Sequence, residues 1–174
     1  MKSRSSRVVW ITGASSGIGR SLAEVFAEKG DRVVATARNL RALRDLRAHI
    51  EKNGRVCEVY ACDVKNAFQV KRVSGLILKK HGFIDVLINN AGVTYFKDLL
   101  STSIREFDDV IGTNLRGLFL SAKTVVPSML RRKRGIIVNI LSFAAKTVYT
   151  KSAAYSASKS GAEAMMNVLR AEVR

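Results

Sequence analysis

Two apolar patterns alternate along the chain. Val8–Ile11, Val33–Ala37, Val56–Ala61, Ile84–Ile88 and Ile136–Leu141 are short continuous runs rich in β-branched residues, the mark of strands buried on both faces. Between them, apolar residues recur at helical spacing. Leu22, Ala23, Val25, Phe26 and Ala27 form one such stripe, stopped by Gly30. Leu40, Leu43, Leu46 and Ile50 form the next, capped by Asn39 and ended by Asn53-Gly54. Further helices are predicted from about Asn66 to Lys80, from Ser103 to Leu130, and from about Ala153 to the end. Pro127 falls in the last turns of the long one and predicts a kink or a shortened end. Strands alternating with helices predict an α/β fold: a doubly wound parallel sheet in three layers, formed by the single domain 1–174.

In such a sheet a ligand binds beyond the carboxyl ends of the strands. Those ends are Thr12–Gly19, Arg38, Asp63, Asn90–Gly92 and Ser142. The first carries three glycines, Gly13, Gly17 and Gly19, between a strand and a helix. Glycines let backbone N–H groups approach an anion, and a helix N-terminus adds partial positive charge. The spacing is neither G-x-G-x-x-G nor a P-loop, so a tight turn without ligand stays open at this point.

Composition narrows the classes. No apolar span is long enough to cross a bilayer, and the basic N-terminus lacks the apolar segment and cleavage site of a signal peptide. Cys57 and Cys62 read as buried free thiols in a reducing cytoplasm, and no metal site has enough ligands. His49 and His81 fall near helix ends and read as surface residues. The net charge of +16 admits nucleic acid or an anionic membrane as partners. The basic residues are spread over helix faces, however, and no aromatics are interleaved with them, which argues against nucleic acid. Arg131–Arg134 sits where a helix ends before a strand, and cations there complement the helix dipole.

Tyr155 and Lys159 lie four positions apart on the last predicted helix and share a face. An ammonium group beside a phenol favours the phenolate, which suits proton transfer near neutral pH. Ser142, just after the fifth strand, could hydrogen-bond the oxygen on which Tyr155 acts. Asn114 interrupts the long helix, where its amide would suit a bound water or a backbone distortion.

On these residues the chain resembles the short-chain dehydrogenase/reductase family. Thr12-Gly13-Ala14-Ser15-Ser16-Gly17-Ile18-Gly19 matches that family's glycine motif, and Asn89-Asn90-Ala91-Gly92 its sheet-stabilising motif. Asn114, Ser142, Tyr155 and Lys159 match its catalytic tetrad in order and approximate spacing. The resemblance implies a Rossmann-like fold with strand order 3-2-1-4-5, and hydride transfer between a nicotinamide and a carbonyl or secondary alcohol. Tyr155 would be the general acid in reduction and base in oxidation, and Lys159 would also hold the nicotinamide ribose. Ser142 would orient the substrate oxygen, and Asn114 would anchor a relay water. Gly13, Ser15, Ser16, Gly17, Ile18 and Gly19 would cradle the pyrophosphate. Asp63 and Val64 would contact the adenine, and Asn90, Ala91 and Gly92 would line the adenosine side.

The second strand ends Thr36-Ala37-Arg38, with no carboxylate to bind a ribose 2′-OH and repel a 2′-phosphate. Arg38, with Ser15 or Ser16, could pair with that phosphate instead, which predicts NADP(H) over NAD(H). Phe96, Leu99, Leu100, Phe143, Val148 and Tyr149 predict an apolar substrate wall. The family is usually longer, which predicts a C-terminally incomplete domain lacking the later strands. An alternative therefore stays open: a catalytically silent dinucleotide-binding or interaction module. A homodimer or homotetramer through 103–130 and 153–174 is likewise implied by the resemblance.

Overall fold

The computed structural model describes residues 6–173; residues 1–5 of the basic N-terminus and Arg174 lie outside the described residues. Five strands, β1 (Val8–Thr12), β2 (Arg32–Ala37), β3 (Cys57–Ala61), β4 (Val86–Asn89) and β5 (Ile136–Asn139), form one parallel sheet in the order β3-β2-β1-β4-β5. Helices α1 (Gly17–Glu28), α2 (Leu40–Lys52), α3 (Ala67–His81), α4 (Ile104–Ile111), α5 (Gly117–Arg131) and α6 (Ala153–Glu172) follow the strands as the periodicity predicts.

Alternation along β1 divides the core. Val9 and Ile11 face α1 and α2 in a cluster with Ala23, Ala27, Leu43, Leu46 and Ile50. Val8 and Trp10 face the other layer, with Val70, Val73, Ile77, Val125 and Met129 from α3 and α5. All five β1 residues are buried, which is why the strand reads as an unbroken apolar run. Trp10 pairs its indole N–H with the Thr36 hydroxyl at 3.0 Å, so the largest core side chain leaves no donor unsatisfied.

Three details differ from expectation. The predicted 103–130 helix is α4 and α5 joined by a π-helical stretch, Gly112–Arg116, and α5 runs through Pro127 to Arg131. The distortion thus falls at Asn114 rather than at the proline. His49 is exposed, but the His81 side chain is only 5% exposed. The end of α3 packs it onto edge strand β3, where Nε2 lies 2.8 Å from Glu58 Oε1. Lastly, strand β5 ends at Asn139 and stands at the sheet edge, with Ile136 and Val138 exposed on one side and Ile137 against the core. No described helix is long and apolar enough to cross a membrane.

Candidate active site

The first βα turn is shaped by glycine at three points, each for a different reason. Gly13 has a left-handed φ of +68°, and a Cβ there would sit 2.7 Å from the Ala91 Cα. Gly17 opens α1 with φ +53°, where the backbone rather than any neighbour disfavours a side chain, since a Cβ would meet nothing within 4 Å. A Cβ on Gly19 would collide with Asn90 Nδ2 and stand 2.5 Å from the Gly13 carbonyl oxygen. The loop after β4 is therefore laid directly on the loop after β1. Polar contacts hold it there. Asn90 Nδ2 donates to the Thr12 and Gly13 carbonyls, each at 3.0 Å, and the Thr12 hydroxyl accepts from the backbone N–H groups of Asn90 and Ala91.

This turn forms one wall of a cleft of about 510 Å³. Gly13, Ser15, Ser16, Ile18, Arg38, Asp63, Val64, Asn90, Ala91, Gly92, Tyr155 and Lys159 all line it. Gly17 and Gly19 belong to the turn but do not line the cleft.

The α1 N-terminus is left open to this cleft. Its N-cap Ser16 makes no side-chain cap, and its first turn carries no acidic residue. By contrast, α2 and α3 are capped by Asn39 and Asn66, which accept from Ala42 and Gln69 backbone N–H groups at 3.1 Å. Uncapped donors at a glycine turn, with Arg38 and no carboxylate ending β2, fit a dinucleotide diphosphate with a further phosphate near Arg38.

On the facing wall, Lys159 Nζ lies 5.6 Å from the centroid of the Tyr155 ring. It donates to the Ile140 carbonyl at 2.7 Å, which leaves two of its N–H donors for other partners. Burial pushes its pKa down from the ordinary lysine value. Gly92 lies beside it, where a Cβ would stand 3.7 Å from Lys159 Nζ and 3.4 Å from Asn114 Oδ1.

Both donors of the Asn114 amide are used, and its oxygen accepts one bond. Its Oδ1 accepts from the Val93 N–H at 2.8 Å, and its Nδ2 donates to the Val93 carbonyl at 2.9 Å and to the Ser158 hydroxyl at 3.0 Å. The backbone distortion that the sequence allows is present, and Asn114 Oδ1 keeps a second lone pair after the bond from Val93. A void of about 10 Å³ lies among Asn89, Thr113, Asn114 and Lys159. It is the size of one water, and the buried Asn89 Oδ1 has no partner.

Ser142 lies one residue past the Ile140-Leu141 lining of the cleft. Its Oγ accepts from the Ala144 N–H at 3.2 Å, which leaves its own proton free to be donated. Several contributors carry no signal in the sequence pattern. Ser158, fully buried, joins Asn114 to the Tyr155 carbonyl. Asn39, Cys62, Val93, Thr94 and Thr113 also line the cleft. Burial pushes the Cys57 and Cys62 thiols up, to about 12 and about 11, so both are neutral in the fold. Among the described residues, no cluster of three or more His, Cys, Asp or Glu could hold a metal ion.

Arg131–Arg134 does sit at the end of α5, as the dipole reading places it. Arg132 turns inward, its guanidinium 4.1 Å from the Phe83 ring centroid and 3.3 Å from Asp85 Oδ1.

Comparison with known proteins agrees with this geometry. A D-threitol dehydrogenase of Mycolicibacterium smegmatis is 35% identical over 166 residues, 95% of this chain and 64% of that protein. The chain thus spans somewhat less than two thirds of that relative's length. A metagenomic short-chain oxidoreductase solved in complex with NADP superposes with a TM-score of 0.93 at 38% identity, covering 97% of this chain and 76% of that one. An actinorhodin polyketide ketoreductase solved with NADPH superposes with a TM-score of 0.93 at 33% identity, covering 99% and 67%. The short chain dehydrogenase family model matches residues 7–174, and the chain belongs to the short-chain dehydrogenase/reductase family of oxidoreductases.

Proposed function

We propose that this chain binds NADP(H) and supports hydride exchange with a carbonyl or secondary alcohol carbon, with Tyr155 as the acid and base. The observation that carries the reading is the Tyr155–Lys159 pair on the wall of the same cleft that the glycine turn opens into. When bound, the nicotinamide supplies or accepts the hydride; the protein's own side chains handle protons and orientation. The Tyr155 hydroxyl donates a proton to the substrate oxygen in reduction and takes it back in oxidation. The buried Lys159 ammonium stabilises the phenolate left behind, and its two remaining donors suit ribose hydroxyls. Ser142 Oγ, already an acceptor from Ala144, has a proton to offer the substrate oxygen. The Asn89–Asn114 void next to Lys159 would hold a water through which the proton given up by Tyr155 is replaced.

The open α1 N-terminus would take the diphosphate, Arg38 with Ser15 and Ser16 the 2′-phosphate, and Asp63 and Val64 the adenine. The NADP- and NADPH-bound relatives support the phosphorylated dinucleotide. Exposed Phe96, Leu99, Leu100, Phe143 and Val148 favour an apolar substrate. Assembly into a homodimer or homotetramer and a cytoplasmic location belong to the same proposal.

The test is titration of the chain with NADPH and NADH by fluorescence, followed by NADPH oxidation over a panel of apolar ketones. Tighter NADPH binding with ketone-dependent turnover is expected, and Arg38→Asp should reverse the cofactor preference. Absence of dinucleotide binding would overturn the proposal. Binding with no turnover on any ketone would leave the silent-module alternative standing instead.

A further inference from the structure

Beside the dinucleotide cleft lies a second chamber of about 1030 Å³, and Arg38 lines both. Its far wall is α4. Its near wall includes Lys65, two residues beyond Asp63 and one beyond Val64, and Tyr95 from the loop that follows Gly92. One carboxylate ties these parts together. Asp109 Oδ1 receives Lys65 Nζ at 2.5 Å, and Asp109 Oδ2 receives the Tyr95 hydroxyl at 3.0 Å. A Lys65 backbone bond from the Arg116 guanidinium, and the Asx turn in which Asp63 Oδ1 accepts the Lys65 N–H at 2.9 Å, fix where that lysine starts.

Asp109 therefore stands within the field of two cations: Lys65, which it binds, and Arg38, which also lines the dinucleotide cleft. Its carboxyl is held below the usual carboxylate range, first by the Lys65 hydrogen bond, with Tyr95 and the Arg38 charge adding to it against a partial desolvation cost. It stays ionised at neutral pH, and it is only partly exposed, at 18% of its side chain. The other groups on the chamber wall change the balance little. Glu106 is engaged by Lys97 at 2.6 Å and by its own helix cap at Ser103, and Arg105 and Asp108 oppose each other in sign.

Resting on the reading of the cleft as an NADP(H) site, we propose that Asp109 tunes cofactor choice by competing with the 2′-phosphate for Lys65 and Arg38. A carboxylate there draws Lys65 away from the cleft and offsets part of the Arg38 charge. It repels a dianionic 2′-phosphate but not a 2′-hydroxyl. The native chain thus carries a built-in brake on its own preference, with Lys65 as a second cation held in reserve. The effect is electrostatic over a partly solvated distance, so it weakens as salt rises.

The test uses dissociation constants rather than turnover. NADPH and NADH are titrated into the native chain and into Asp109→Asn, Lys65→Met and Tyr95→Phe variants, at low and at high salt, with circular dichroism to confirm folding. Asp109→Asn should raise the NADPH-over-NADH affinity ratio roughly three- to ten-fold at low salt, with NADH affinity unchanged. Lys65→Met should lower the ratio. Tyr95→Phe keeps the carboxylate and should leave the ratio within about two-fold, which separates charge from loop support. An unchanged or lowered ratio in folded Asp109→Asn overturns the proposal, as does a salt-independent gain. Failure of the parent reading shows elsewhere: a native chain that binds neither dinucleotide, or an Arg38→Asp variant with unaltered preference.

Discussion

The two ends of the sheet carry buried polar groups to opposite effect. At the amino ends of the strands, the ion pairs are closed. Asp31 receives the Arg7 backbone N–H at 3.1 Å and its guanidinium at 2.7 Å, and Asp85 receives the Val8 N–H at 2.9 Å while pairing with Arg132. Arg7 and Arg132 then cover rings, Phe26 and Phe83. At the carboxyl ends, side chains bond mainly to backbone and stop short of saturation. Asn90 braces the glycine turn, Asn114 braces the Val93 loop, and Lys159 spends one donor on Ile140. The α1 N-terminus and two Lys159 protons are left over. A satisfied rim stabilises; a rim with unspent donors in fixed positions can bind and react.

That contrast can be broken most severely at Tyr155. Tyr155→Phe should lower ketone-dependent NADPH oxidation by roughly a hundred-fold or more, with melting temperature and NADPH affinity unchanged. Initial rates and a thermal melt check both halves. Next in size comes the closed rim: Asp85→Ala leaves the buried Val8 N–H unmatched and takes the partner from a partly exposed Arg132, and should cost about 2 kcal/mol in urea denaturation. Dinucleotide affinity should not follow. A large loss of affinity in a folded Asp85→Ala protein would show that the two ends are coupled rather than separate.

A finer comparison sets two helix starts against each other. Asn66→Ala removes a working cap and should cost about 1 kcal/mol, whereas Ser16→Ala removes none and should leave the urea midpoint in place while weakening NADPH. Equal destabilisation by both would mean that Ser16 caps α1 in solution. The smallest effect is a pH slope. Burial lowers Lys159 below the ordinary 10.5, so between its folded value and 10.5 the unfolded chain holds the extra proton. Stability should therefore rise with pH across that window, and Lys159→Met should flatten the slope. Urea midpoints at the two ends of that alkaline window would reveal a slope that persists in the variant, and with it another origin.

Much of this arrangement was legible in the residues. The apolar runs of β1 and β2 read as strands because both faces are covered, and the stripes of α1 and α2 read as helices because only one is. The Tyr155–Lys159 spacing carried its own geometry, one helical turn. Other features had no local signal. His81 looks like any residue at a helix end until β3 brings Glu58 beneath it. Ser158 is an ordinary helical serine until Asn114, 44 positions away, reaches it. Pro127 is the stronger local breaker, yet the helix loosens at Gly112–Arg116. There the Val93 loop and Ser158 both bond the Asn114 side chain, and tertiary bonds outweigh propensity.

Periodicity and turn chemistry are local properties of a chain, so the amino-acid order alone determined the five strands, their alternation with helices, and the glycine turn between Thr12 and Gly19. Which polar groups end up spent and which stay free depends on partners tens of residues apart. Only the folded sheet decided that Asn90 would lie under Gly19, that Lys159 would keep two donors, and that Asp109 would hold Lys65 beside Arg38.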